Sequence, residues 1–301
     1  MEKLVITGGT PLRGNISVSG SKNAAAALLP AALLSDTPCI LENVPYILDN
    51  SIMLEIINNL GASGEWIGKN TVRIDSKGLN TYKASYELTS KLRGSYYFLG
   101  ALLGKVGRAE VSQPGGCNFE SRPIDQHIKG LKALGAEIIE EYGLVKAYTE
   151  NGVTSAHIFM DVVSVGATIN LMIAAVKGSG ITILENCAKE PHVVDVANFF
   201  NTMGANVKGA GTDTIKIKGV AHLESTRPYS VIPDQIEAGT FMIAAAVSRG
   251  DVTVRNIIPK HQEALLAKLS EMNVGIEEGE DSIRVYYKGK IRDTKIKTLP
   301  Y

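Results

Sequence analysis

The 301-residue chain has 31 Lys plus Arg against 31 Asp plus Glu, a formal net charge of zero, which argues against a general nucleic-acid binder. Hydrophobic residues at 45% and charged residues at 21% describe a packed globular protein and exclude a disordered one. Three Cys do not make a disulfide framework, Met1 to Thr7 lack the apolar core of a signal peptide, and the apolar run 24–34 contains Pro30 and is shorter than the roughly 18 residues of a membrane helix. The expectation from these features is a soluble, cytoplasmic protein of two domains with no membrane partner.

In chain order, four stretches read alike. Ile40-Leu41-Glu42-Asn43-Val44-Pro45 precedes a helical pattern ending at Leu60-Gly61-Ala62. Glu110-Val111-Ser112-Gln113-Pro114 precedes one ending at Leu134-Gly135-Ala136. Ile181-Thr182-Ile183-Leu184-Glu185-Asn186 precedes one ending at Met203-Gly204-Ala205. Val252-Thr253-Val254-Arg255-Asn256 precedes one ending near Met272-Asn273-Val274. Gly61, Gly135 and Gly204 suit left-handed helix stops, and Asn273 is the next best residue there.

An Ala-rich apolar helix stands before each of these strands, at 23–34, 94–103, 166–176 and 237–247. A short lead strand precedes it, as in Ile16-Ser17-Val18-Ser19 and His157-Ile158-Phe159-Met160. A pair of short strands follows each helix stop, as at 207–208 with 214–218 and 275–277 with 282–286. The unit is therefore β-α-β-α-β-β, about 70 residues long, in an α/β fold. Ala25 to Leu29 leave no polar face, so the Ala-rich helices are expected to be buried on every side. The second helices, such as Glu55-Ile56-Ile57-Asn58-Asn59-Leu60, are amphipathic. Helices inside and sheets outside would explain both patterns.

Lys22, Arg93, Ser164 and Gln235 stand at the starts of the Ala-rich helices, each 71 residues from the next. A helix start offers free N–H groups and a partial positive charge, which suits an anion. A Lys or Arg there opposes the dipole, so two cations at matched positions point to a phosphate or carboxylate ligand rather than to folding. Gln113-Pro114-Gly115-Gly116-Cys117 forms a longer, exposed loop. Cys117 with Arg122 nearby is placed for thiolate chemistry or proton transfer, and Arg122, Asp125 and His127 cluster before an amphipathic helix. The bland alternative for that trio is a surface loop with a helix cap at Asp125. Cys39 and Cys187 sit beside apolar strands and read as inert buried thiols.

Ser19-Gly20-Ser21-Lys22-Asn23-Ala24-Ala25, Pro114-Gly115-Gly116-Cys117, Arg122-Pro123-Ile124-Asp125-Gln126-His127, Ser164-Val165-Gly166-Ala167-Thr168, Glu190-Pro191 and Ile232-Pro233-Asp234-Gln235-Ile236-Glu237-Ala238-Gly239-Thr240 resemble, in order along the whole chain, the UDP-N-acetylglucosamine 1-carboxyvinyltransferases. The resemblance implies inside-out α/β barrels of three repeats each. By the repeat count it implies one complete domain, residues 22–229, and one third of a second, residues 1–21 and 230–301. It implies transfer of the enolpyruvyl group of phosphoenolpyruvate to the 3′-hydroxyl of UDP-GlcNAc, with no metal or organic cofactor. Lys22, Arg93 and Arg122 would hold phosphoenolpyruvate. Cys117 would be the general acid and the thiol that fosfomycin alkylates. Asn23 and Tyr97 would line the substrate site, and Arg122, Pro123, Ile124, Asp125, Gln126, His127, Ser164, Val165 and Gly166 would hold the uridine diphosphate part.

The chain departs from that family in four places. Tyr97 stands where the family has Trp, and Val162 where it has a Lys of the diphosphate site. Asn118-Phe119-Glu120-Ser121 replace small residues after Cys117. The family's segment beyond Tyr301, with its Asp base and a later Arg, has no counterpart here, so residues 1–301 alone are expected to turn over weakly or not at all. The alternatives are a non-catalytic UDP-GlcNAc-binding fragment or paralogue, and the shikimate-type sister activity, which Cys117 disfavours.

Overall fold

The computed structural model describes residues 3–113, 123–298 and 301. In chain order the elements are β1 (Arg13–Ser17), α1 (Lys22–Ala31), β2 (Cys39–Glu42), α2 (Leu48–Asn59), β3 (Ser63–Gly68) and β4 (Thr71–Asp75). Then come α3 (Tyr86–Thr89), α4 (Tyr97–Val106), β5 (Arg108–Ser112), α5 (Asp125–Ala133), β6 (Glu137–Glu141) and β7 (Leu144–Tyr148). The third set is β8 (His157–Phe159), α6 (Val165–Ala175), β9 (Ile181–Glu185), α7 (Pro191–Thr202), β10 (Asn206–Lys208) and β11 (Thr214–Lys218). The fourth is β12 (Tyr229–Ser230), α8 (Gln235–Val247), β13 (Asp251–Arg255), α9 (Glu263–Glu271), β14 (Val274–Glu278) and β15 (Ser282–Tyr287). The β-α-β-α-β-β order thus recurs, with the short α3 in place of the second lead strand.

The chain divides into two compact units, Met1–Gly20 with Pro233–Leu299 and Ser21–Ile232 with Pro300–Tyr301. Three sheets share one layout: a lead strand parallel to the unit's central strand, then two antiparallel strands, as in β8-β9-β11-β10. The fourth, β5-β7-β6, keeps only a single parallel bridge from Lys83 to Glu110 where a lead strand would lie. Two lead strands do not pair within their own repeat. β1 pairs with β13 of the fourth repeat, and β12 pairs with β2 of the first. The pairing of β1 with β13 is how residues before Ser21 come to belong with residues after Ile232.

A recurrent Asn locks the lead strand in the three sheets that have one. Asn43, Asn186 and Asn256 all have positive φ, at 56°, 59° and 55°. Their amides donate to the carbonyls of Val231, Met160 and Val18 at 2.7–2.8 Å. Asn tolerates the left-handed region better than most other side-chain-bearing residues, which suits it to the ends of β2, β9 and β13. The helix stops at Gly61, Gly135, Gly204 and Asn273 adopt φ of 88°, 88°, 93° and 67°.

In the larger unit α4 packs on both α1 and α6, and Ala24, Leu28, Phe98, Leu102, Ile169 and Ile173 are fully buried. In the smaller unit α8 departs from the all-round burial that its composition predicts. Ile236, Ile243 and Val247 are 59%, 46% and 71% exposed. The reason lies in its neighbours: among the described residues α8 packs on β13, β15 and the turn before α9, not between two apolar helices as α4 does.

Candidate functional site

The three inner helices of the larger unit run in register. At one end a Cβ on Gly104 of α4 would lie 3.4 Å from Leu34, just past α1, and 3.5 Å from the Ala174 carbonyl of α6. There Lys105 donates to the Ser35 carbonyl at 2.9 Å, and Lys105 and Lys177 pair with Asp36 at 3.4 and 3.6 Å. Burial pushes the Asp36 carboxyl up, but the Leu223 N–H, Lys177 and Lys105 outweigh it and hold it below its ordinary value. Cations at the carboxyl ends of helices are where the dipoles favour them.

At the other end lie the helix starts. A Cβ on Gly94 would sit 3.3 Å from Ala26 of α1, and Asn170 of α6 donates to the Tyr96 carbonyl just before α4. Lys22 is the first residue of α1. Arg93 opens a 3-10 turn, Arg93–Tyr96, that leads into α4, so it stands one turn earlier than the repeat predicts. Ser164 caps α6 by accepting from the Ala167 N–H at 3.3 Å, and Val165 and Gly166 form the first turn. Gln235 opens α8 behind an Asp234 cap, in the smaller unit. Lys22 and Arg93 are exposed, Asn23 half-buried. Lys22 pairs with Asp49 of α2 at 2.8 Å, an exposed contact worth well under 1 kcal/mol. Two cations therefore stand against the dipoles at the end where three helices begin.

Tyr97 packs among the first turns. Burial pushes its hydroxyl up in pKa, with Arg93 acting downward and Glu190 upward, so both charges lie within reach of it. Glu190 carries a buried carboxylate oxygen without a hydrogen-bond partner among the described residues. Val162, at the position where the resembling family has Lys, is 57% exposed. Cys117 and Arg122 lie outside the described residues.

The segment after them is more internal than its charges suggest. Pro123 is exposed, Ile124 is buried, and Asp125 is the exposed first residue of α5, with no side-chain cap bond at this helix start. Gln126 is 5% exposed, and its amide is committed to protein: it accepts from the Asp161 N–H at 2.9 Å and donates to the Asp161 carboxylate at 3.1 Å. His127 is 7% exposed and does not join a charged trio. Burial first, then Arg93, push its pKa down to about 4, so it is neutral near pH 7. Cys39 and Cys187 are buried, and burial holds both thiols above their ordinary value, Cys187 at about 12.

Asn170 is the residue sequence reasoning missed. It is fully buried in α6, and its signal was available: one amide inside an otherwise apolar helix must find partners. No group of metal-ligating side chains occurs among the described residues, and no helix there is long and apolar enough to cross a membrane.

Residues 6–301 match the family described as EPSP synthase (3-phosphoshikimate 1-carboxyvinyltransferase). UDP-N-acetylglucosamine 1-carboxyvinyltransferase 3 of Caldanaerobacter subterraneus subsp. tengcongensis is 58% identical over 301 residues, all of this chain and 72% of that protein. The chain belongs to the UDP-N-acetylglucosamine 1-carboxyvinyltransferases, within the EPSP synthase family. UDP-N-acetylglucosamine 1-carboxyvinyltransferase 2 of Clostridium acetobutylicum is 52% identical over 302 residues, again covering 72% of the relative. Among solved structures, the enolpyruvyl transferase NikO of Streptomyces tendae matches with a TM-score of 0.79 at 23% identity, over 93% of this chain and 66% of that one. EPSP synthase of Acinetobacter baumannii matches with a TM-score of 0.73 at 18% identity, also over 93% and 66%. These two likenesses carry the enolpyruvyl transferase fold, and the chain spans about two thirds of their length.

Proposed function

We propose that this chain serves the transfer of the enolpyruvyl group of phosphoenolpyruvate to the 3′-hydroxyl of UDP-GlcNAc, with release of phosphate, at the start of peptidoglycan synthesis. The observation that carries this reading is the pair Lys22 and Arg93. The same helices hold Lys105 and Lys177 where the dipoles favour cations, and Lys22 and Arg93 where they do not. The helix dipoles oppose the second placement, whereas a phosphate-bearing substrate would be held by both the cations and the free N–H groups.

In this reading Lys22, Arg93 and Arg122 hold the phosphate and carboxylate of phosphoenolpyruvate. Cys117 protonates the vinyl carbon as the sugar oxygen adds and the hydroxyl's proton passes to a base, and loss of phosphate with a proton from the new methyl group then gives the enolpyruvyl product. Fosfomycin would alkylate the same thiol. Asn23 and Tyr97 line the substrate site, and residues 123–127 with Ser164, Val165 and Gly166 hold the uridine diphosphate part. The larger unit is one inside-out barrel of three repeats, and the smaller unit supplies one repeat of a second. The apolar stripe Ile236, Ile243 and Val247 fits a helix that further repeats would cover. The cytoplasm, where both substrates are made, is the place of action.

The alternative reading is a UDP-GlcNAc-binding polypeptide without turnover; the chain covers 72% of the Caldanaerobacter relative's length. A phosphate-release assay separates the two. Residues 1–301, produced as an isolated polypeptide, are expected to turn over at least about 100-fold more slowly than the Caldanaerobacter relative, because removing a general base alone costs about 10²–10⁴-fold. Turnover within a few-fold of that relative would show that the described repeats suffice.

A further inference from the structure

The side chain of Asn170 bonds to the first turn of a neighbouring helix. The Gly100 N–H of α4 donates to Oδ1 of Asn170 at 2.8 Å, and Nδ2 of Asn170 donates to the carbonyl of Tyr96, the residue that caps α4, at 3.0 Å. The amide orientation is therefore fixed by two backbone groups of opposite sense, one donor and one acceptor. The second hydrogen of Nδ2 has one partner, Nδ1 of His127 at 3.0 Å. All three hydrogen-bonding capacities of this buried amide that face protein are used. The His127 ring also packs against Tyr96, with centroids 5.5 Å apart. Its other nitrogen, Nε2, faces the first turn of α6, where a Cβ on Gly166 would come within 2.9 Å of it.

We propose that Asn170 is a positioning residue: it seats the His127 ring and, by donating to Nδ1, places the ring's single hydrogen on Nε2, the edge turned toward Gly166. A neutral histidine with an occupied Nδ1 lone pair is a pure donor at Nε2. The surface at the start of α6 thus gains a neutral N–H whose state does not change across the physiological pH range. A carbonyl or phosphate oxygen is the ligand chemistry such a donor meets. That this ligand is the uridine diphosphate part rests on the proposed function above; the state of His127 does not.

Imidazole nitrogen NMR on residues 1–301 tests this, since the chain has only five His. The unmodified protein is expected to show His127 neutral near pH 7, pyrrole-type at Nε2 and pyridine-type at Nδ1, with no titration above about pH 5. A hydrogen on Nδ1, or an imidazolium near pH 7, would overturn the proposal without need of any variant. In Asn170→Ala, His127 should become a mixture of tautomers, and its titration midpoint should rise by about one pH unit, a tenfold change in proton affinity. Unchanged tautomer and midpoint in that variant would equally overturn it. UDP added to the unmodified protein should shift the Nε2 signal, and Asn170→Ala should bind UDP about tenfold more weakly. Absence of any UDP effect beside the expected tautomer would overturn the nucleotide reading of this surface and leave the role of Asn170 standing.

Discussion

Gly100→Ala is expected to destabilise the larger unit by about 3–4 kcal/mol, although alanine is the better helix former by about 1 kcal/mol. The added Cβ would lie 2.4 Å from both the carbonyl and the Oδ1 of Asn170, atoms held by α6 backbone and by three hydrogen bonds. Overpacking of this kind costs about 1–3 kcal/mol. Displacing the Asn170 amide leaves buried polar groups unpaired, at about 1–3 kcal/mol more. The two costs outweigh the gain in propensity. Gly104→Ala, one turn along the same helix, meets Leu34 and two carbonyls at 3.4–3.5 Å and should be neutral or slightly stabilising. The single Trp, Trp66 in β3, reports the larger unit alone, so urea unfolding followed by its fluorescence distinguishes the two variants. Equal effects of the two alanines would contradict the packing described.

Tyr229→Phe should cost about 2–3 kcal/mol near pH 7.5 and only about 1 kcal/mol near pH 5. Asp195 of α7 is 2% exposed, and burial pushes its pKa up from 3.8 to about 6. Its carboxylate accepts from the Tyr229 hydroxyl at 2.6 Å and from the Ile232 N–H at 3.3 Å. These bonds hold the segment that ends at the crossing into the smaller unit. A carboxyl whose folded pKa is raised binds more protons folded than unfolded. Asp195 therefore lowers stability as pH rises from about 4 to about 6, and its full penalty stands above that window. Loss of the hydroxyl removes a bond to a charged group near pH 7.5, worth about 1.5–3 kcal/mol, but to a neutral one near pH 5, worth about 1 kcal/mol. Urea midpoints at the two pH values check this, and an equal loss at both would place the charge elsewhere.

The repeat made much of the fold legible in the sequence, because residue types with special backbone preferences recur at fixed spacing. Gly61, Gly135, Gly204 and Asn273 mark helix ends that few other residues could form. The exchange of β1 and β12 between repeats was not legible in the residue pattern itself; only the resemblance grouped residues 1–21 with 230–301. A lead strand carries the same pattern whichever central strand it joins, and pairing is decided by where the chain returns. The exposed stripe of α8 was hidden for a related reason: composition says that a helix can be buried, not that partners exist to bury it.

Lys22 and Arg93 were legible as candidates because charge against a helix dipole is a local conflict visible in a sequence. His127 was misread as one of a charged trio, since the sequence shows its charged neighbours and not the burial that keeps it neutral. Asn170 lies 43 residues from His127 and 70 from Gly100, so its bridging role exists only once α4, α5 and α6 are packed.

The measurement that bears most directly on this account is calorimetric titration of residues 1–301 with UDP-GlcNAc and, separately, with 3-phosphoshikimate, the substrate named in the matching family's description. The account predicts saturable binding of UDP-GlcNAc and at least about 100-fold weaker binding of 3-phosphoshikimate, a difference of nearly 3 kcal/mol. Binding of 3-phosphoshikimate as tight as that of UDP-GlcNAc, or tighter, would contradict it.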